Sequence, residues 1–287
     1  MTDELRIYAG AVSGAKATGS ANERKSVEQV LEQYDRELQK PSSERIIVTN
    51  LVAETYSETK DERLFNALFN VVTGTQYEES MREQAAYKLG EIFNPEKHAS
   101  KVQELITALK NRNDYQYVRK SIVSLLGKAY TGTKQEAIIS ALEEQLKGKG
   151  DSFEVRAESA QTLCVIYENT GEKSALDKLL TYIKTDYSKI DSKKEAELFR
   201  WLIQFLREGY TRSNNQEFLG ALKELLNPNQ VKDPWIRQVA ITNLYVADGK
   251  SDSTKQIFRD CHNNDPDWDV KAHAHNALFG NLRVSHE

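Results

Sequence analysis

Cysteine is almost missing from this chain: Cys164 and Cys261 are the only two among 287 residues. Two thiols that far apart build no disulfide framework, and such sparing use suits a reducing compartment. Proline and glycine are scarce as well, at 5 and 14, a composition that favours helices with few punctuation points. There is no surplus of positive charge. Lys and Arg number 39 against 43 Asp and Glu, for a net charge of −4 and a pI near 5.9, which argues against the basic footprint of a nucleic-acid binder. No stretch approaches the roughly 18 apolar residues that span a bilayer. The opening MTDELRIYAG places acidic residues where a secretory signal would be basic. A cytoplasmic protein with no membrane segment is the expectation.

What the chain has instead is repetition. A basic residue recurs at Arg45, Arg82, Arg119 and Arg156, each about 37 residues after the last, and again at Lys193, Arg237 and Lys271 after one longer and one shorter interval. The residues just before them (44, 81, 118, 155, 192, 236 and 270) serve as repeat marks. After the mark at Val155, the residues Ala160, Leu163, Ile166 and Tyr167 extend one helical stripe, a turn follows at Gly171, and Leu176, Leu179, Leu180 and Ile183 form a second stripe. The second stripe recurs as Ile139, Leu142, Leu146, as Val102, Leu105, Ile106, Leu109, and as Phe65, Leu68, Phe69, Val72. Each unit therefore reads as two antiparallel helices, too short to stand alone and stable only when stacked.

Boundary residues agree. Asp233-Pro234 is an N-cap before a first-turn proline; Asp151 with Glu154 and Ser192 with Glu195 have capping-box spacing. Asn94-Pro95 and Asn227-Pro228 mark helix ends or loops. Val27, Val30, Leu31 and Tyr34 repeat the second stripe before the first full unit, so residues 23–40 read as a terminal cap. The Ala-, Gly- and Ser-rich residues 1–22 read as a tail or a degenerate cap, and 23–287 as the array. The unit at Ser192 carries extra residues, placed in a turn over 207–218.

The phrase D-x-x-x-V-R followed by small residues and Leu resembles the first helix of a HEAT repeat. MREQAAYKLGEI (81–92) and DPDWDVKAHAHNAL (265–278) look most like the variant found in phycobilisome-lyase-type HEAT proteins. The resemblance implies an all-α, right-handed α-solenoid of about six to seven antiparallel helix pairs. It also implies a ladder between neighbouring repeats, made by the turn acid and the first-helix basic residue. The matching positions are Asp114 with Arg119, Asp151 with Arg156, Asp233 with Arg237 and Asp267 with Lys271; Arg45 and Arg82 precede them. Because their period is the period of the fold, these charges read as architectural.

Several chemistries find little support. Cys261-His262 and His273-x-His275 invite a metal site, but two histidines two apart on a helix point about 200° from each other. Helical-repeat metal oxygenases carry His-Glu pairs in several repeats, and here His286-Glu287 is the only such pair. Cys164 lies on an apolar stripe, where a buried inert thiol is expected. No G-x-S-x-G, P-loop or G-x-G-x-x-G occurs. No catalytic residue, metal or cofactor is assigned. Lys110, Arg112, Lys147 and Lys149 near second-helix ends suit the helix dipole and are interleaved with acids, which leaves nucleic-acid binding as the weaker alternative. A bilin-lyase-like or other small-molecule enzyme is what the resemblance implies as the enzymatic alternative. The expectation is a non-enzymatic scaffold that binds one or more proteins. In the HEAT family second helices line the concave face, which nominates Lys101, Lys134, Lys178, Tyr182, Lys184 and Arg259, with Tyr210 and Arg212 in the extra segment.

Overall fold

Apolar residues at helical spacing must bury one stripe, and a helix of three or four turns can do so only against neighbours. The computed structural model describes residues 25–38, 42–148, 150–186 and 193–282, with backbone alone at 42–47, 185–186 and 193. A lone helix α1, Val27–Glu37, opens the array. Six pairs follow: α2 Ser42–Thr59 with α3 Glu62–Thr73, α4 Glu79–Ile92 with α5 Val102–Lys110, and α6 Gln116–Thr133 with α7 Glu136–Lys147. Next come α8 Phe153–Thr170 with α9 Lys173–Asp186, α10 Lys193–Ser213 with α11 Gln216–Glu224, and α12 Pro234–Asp248 with α13 Asp252–Asn264. The single helix α14, Trp268–Leu278, ends the described chain.

First helices pack on first helices from α2 through α14, while α3, α5, α7 and α9 form a second row. Contacts between elements close in sequence, repeated along the chain, define an α-solenoid. In α8 the buried stripe is Val155, Arg156, Ser159, Ala160, Thr162, Leu163, Cys164, Ile166 and Tyr167. Small residues on that stripe let first helices approach closely. A Cβ added at Gly127 of α6 would lie 2.6 Å from Thr162 Cγ2 of α8, so no larger residue fits without a shift.

The caps follow the local chemistry. Ser26 and Gln29 form a full capping box at α1. Asp233 accepts from Trp235 N at 2.8 Å ahead of Pro234. Expected and observed caps differ at α8, where Ser152 caps Val155 N at 3.3 Å and Asp151 is free for another role. The turn inside a pair reuses one device: the residue after the first helix turns left-handed at Lys60 (φ 58°), Lys134 (φ 52°), Gly171 (φ 69°) and Asn214 (φ 53°). Only Gly171 does so without a side-chain penalty.

The extra residues of the fifth unit do not form a loop over 207–218. That stretch is helix to Ser213 with its turn at Asn214–Asn215, and α10, at 21 residues, gains its added length at its N-terminal end. Residues 1–22 and Ser192 lie outside the described residues, as does the side chain of Arg45. Among the described residues no helix is long and apolar enough to cross a membrane.

Candidate functional site

A guanidinium has five N–H donors, and once buried it needs acceptors for them. Arg82, Arg119, Arg156 and Arg237 are all buried. Arg119 Nε donates to Leu109 O at 2.9 Å, at the end of the preceding second helix. Its Nη2 donates to Gln145 Oε1 at 2.7 Å and to Asp151 Oδ2 at 2.9 Å, while Nη1 bonds Asp151 Oδ1. One side chain thus ties three successive repeats together and satisfies a carbonyl at a helix C-terminus. Arg82 does the same with Val72 O at 2.9 Å and Asp114. Arg156 bonds Leu146 O at 3.1 Å, Tyr182 Oη at 2.5 Å and the carboxylate of Glu195. Burial works against its charge, but Glu195 and Tyr182 outweigh that and raise its pKa. Arg237 holds Asp265 by two bonds of 2.8 Å and takes Val231 O at 2.7 Å and Lys232 O at 2.9 Å.

The pairing is offset from the one the sequence pattern suggested. Each acid serves the arginine of the repeat before it: Asp114 goes to Arg82 and Asp151 to Arg119. Asp233 and Asp267 hold helix-start amides, and Asp265 takes the place expected for Asp267. Lys271 forms no ion pair among the described residues. Among the described residues the fifth unit has no rung of its own. In α10, Leu198 and Phe199 take the places that Val155 and Arg156 hold in α8. Leu202 and Ile203 replace Ser159 and Ala160, and Phe205 and Leu206 replace Thr162 and Leu163. Phe199 therefore sits where an arginine stands in the neighbouring repeats, past the expected Lys193, and stacks on Tyr182 at 5.4 Å and 7°.

The residues nominated for a partner are dispersed. Tyr182 is buried and cannot meet one. Lys134 closes α6, with its Nζ 5.7 Å from the Tyr130 ring. Tyr210 and Arg212 lie on first helix α10; Tyr210 packs on the core and Arg212 bonds Glu168 at 2.9 Å. Lys101 meets Glu104 at 3.0 Å and covers the Phe69 ring. Lys178 bridges to Glu143 at 2.8 Å and Lys184 to Glu224 at 2.6 Å, each between neighbouring second helices. Arg259 stands apart beside a pocket on α13.

A surface that the repeat pattern did not single out lies on the first helices. In α8 the stripe left unburied is Glu154, Glu158, Gln161 and Val165. Tyr117 of α6, Tyr87 of α4, Trp201 of α10 and Val246 of α12 occupy that stripe in their own helices, all exposed, Tyr87 to 63% and Trp201 to 41%. Trp268, at the start of α14, is 77% exposed.

The reactive residues are held apart. Burial pushes the Cys164 thiol up to about 12 and Cys261 up to about 11, which suits packing and opposes nucleophilic work. His273 turns to Thr242 Oγ1 at 2.8 Å, and burial lowers its pKa. His262 and His275 come together across α13 and α14 with rings 5.0 Å apart. No three His, Cys, Asp or Glu side chains gather to hold a metal among the described residues.

No protein-family profile matches the chain, and no curated protein matches it. Among solved structures, human deoxyhypusine hydroxylase in complex with glycerol is similar, at 14% identity over 88% of this chain and 96% of that one, with a TM-score of 0.31. A likeness at that level carries no argument about activity. The helix order and packing described above define the class: an all-α solenoid of helix pairs.

Proposed function

We propose that this solenoid is a non-enzymatic scaffold that binds another protein along its first helices. The observation that carries the reading is the recurrence of exposed Tyr87, Tyr117 and Trp201 on one stripe in different repeats. Tyr and Trp are the side chains that most often dominate protein interfaces, and modest contacts spread along an array add up. The second-helix lysines support the choice of face: Lys178 and Lys184 are already paired across repeats, so a partner there would have to break those pairs.

The test is capture from native lysate by the tagged full chain, with a photo-crosslinking residue introduced at position 161 of the same stripe. Wild type should retain a stoichiometric protein, and Tyr87→Ser with Trp201→Ser should reduce its recovery about tenfold or more at an unchanged melting temperature. Equal recovery would overturn the face. Loss only with Lys178→Glu and Lys184→Glu would move it to the second helices. A coloured eluate or bound nucleic acid without protein would overturn the scaffold reading itself.

A further inference from the structure

The end of the array carries a pocket of about 300 Å³ between α13 and α14, lined by Lys255, Arg259, His262, His275, Leu278 and Phe279. None of these six residues is acidic. Lys255, Arg259 and His262 stand on one face of α13 by helical spacing, and His275 and Phe279 stand one turn apart opposite them.

Among the described residues the polar groups are incompletely engaged. His262 Nδ1 lies 3.2 Å from Lys271 O. A carbonyl can only accept, so this nitrogen carries the proton and Nε2 is left for another group. Arg259 meets only the neutral Gln256 Oε1, at 3.2 Å. Lys255 has Asp252 at the outer limit of an ion pair, 4.0 Å away, with Asp252 itself fully in solvent. Asp260, the next acid on α13, accepts from Gln256. Unlike Arg82, Arg119, Arg156 and Arg237, which are buried against carboxylates, Arg259 is exposed and meets no carboxylate among the described residues.

The opposite wall is apolar. Phe279 is exposed to 66% and rests on the His275 ring at 4.7 Å, with Leu278 beside it. We propose that this pocket binds a phosphomonoester borne on an apolar or aromatic body. The phosphate would take N–H donors from Arg259 and Lys255, with His262 Nε2 accepting from a protonated phosphate oxygen or donating to it as the imidazolium, and the body would lie against Phe279 and Leu278. Three phosphate oxygens suit this many converging donors better than the two of a carboxylate. The pocket is at the lower end of the size range for small-molecule sites, which admits one ring and its phosphate.

The experiment uses the full chain with phenyl phosphate, inorganic phosphate and benzoate, followed by calorimetry and by NMR of the histidine ring nitrogens. Phenyl phosphate should bind with a Kd of about 0.1–1 mM, inorganic phosphate and benzoate each at least about fivefold more weakly, with shifts at His262 and His275 and none at His98. Arg259→Gln at an exposed position and Lys255→Gln at a half-buried one should each weaken phenyl phosphate several-fold, and Phe279→Ala should reduce its advantage over inorganic phosphate. A phosphotyrosyl peptide arm then assigns the source: much tighter binding than phenyl phosphate indicates a protein-borne group, and equal binding indicates a free metabolite. No saturable binding of phenyl phosphate, or identical affinity in wild type and Arg259→Gln, overturns the proposal.

Discussion

The repeats from α4 to α9 and the pair α10–α11 solve the same packing problem with opposite chemistry. In the first region a buried arginine joins the end of one second helix to the acid that opens the next repeat, and Val72, Leu109 and Leu146 supply equivalent carbonyls. In the second, Phe199 fills the arginine's place and stacks on Tyr182, the residue that also accepts from Arg156. The acid for Arg156 then comes from Glu195 on the first turn of a longer helix. The position demands a large buried side chain; whether it is polar depends on the acceptors its neighbours offer. A ring without N–H donors has no use for a turn acid, and Lys232 stands near where that acid would be.

The difference can be broken at either end. The largest effect is expected from Arg119→Ala, which strands the buried carboxylate of Asp151 along with Leu109 O. A loss of about 3–5 kcal/mol is expected from breaking such a pair, read by urea unfolding. Phe199→Arg should also destabilise, because it replaces a ring stacked on Tyr182 with a buried charge; a variant as stable as wild type would show that the missing rung is mere drift. Gly127→Ala should cost less, about 1–3 kcal/mol, by pushing α6 from Thr162. A value near zero would mean that the first helices slide freely there.

Smaller effects come from pH and from the surface. Burial lowers the pKa of His98 and of His273. The unfolded chain therefore binds more protons than the folded one as pH falls below the ordinary histidine value. Stability from these groups is complete above about pH 6.5 and declines as pH drops through the lowered folded values. Melting curves at pH 7.5 and 5.5 should show the drop, and His98→Gln should shrink it. Last, Lys178→Gln should lower the melting temperature only slightly, since Lys147 also pairs with Glu143 and a partly exposed pair contributes little.

Much of this was legible in the sequence because repetition amplifies weak signals. The stripes at Val155 and at Leu176 found α8 and α9, and the Arg period found the buried rungs at Arg82, Arg119, Arg156 and Arg237. The repeat mark at Ser192 puts Lys193 at the basic position, whereas the buried pattern of α10 begins at Leu198 and Phe199. Tyr182 was misjudged for a related reason: a tyrosine on a second helix looks polar until an arginine from the first helix is found bonded to its hydroxyl.

By itself the sequence determined the all-helical pairs and their stacking order, since apolar spacing decides locally which face must leave water. Tertiary structure alone decided which acid meets which arginine, that the stretch expected as a turn over 207–218 continues α10 to Ser213, and that His262 and His275 meet while His273 turns away. Those outcomes depend on distances between residues some thirty positions apart, and helical periodicity fixes directions along one helix without fixing where the next one lies.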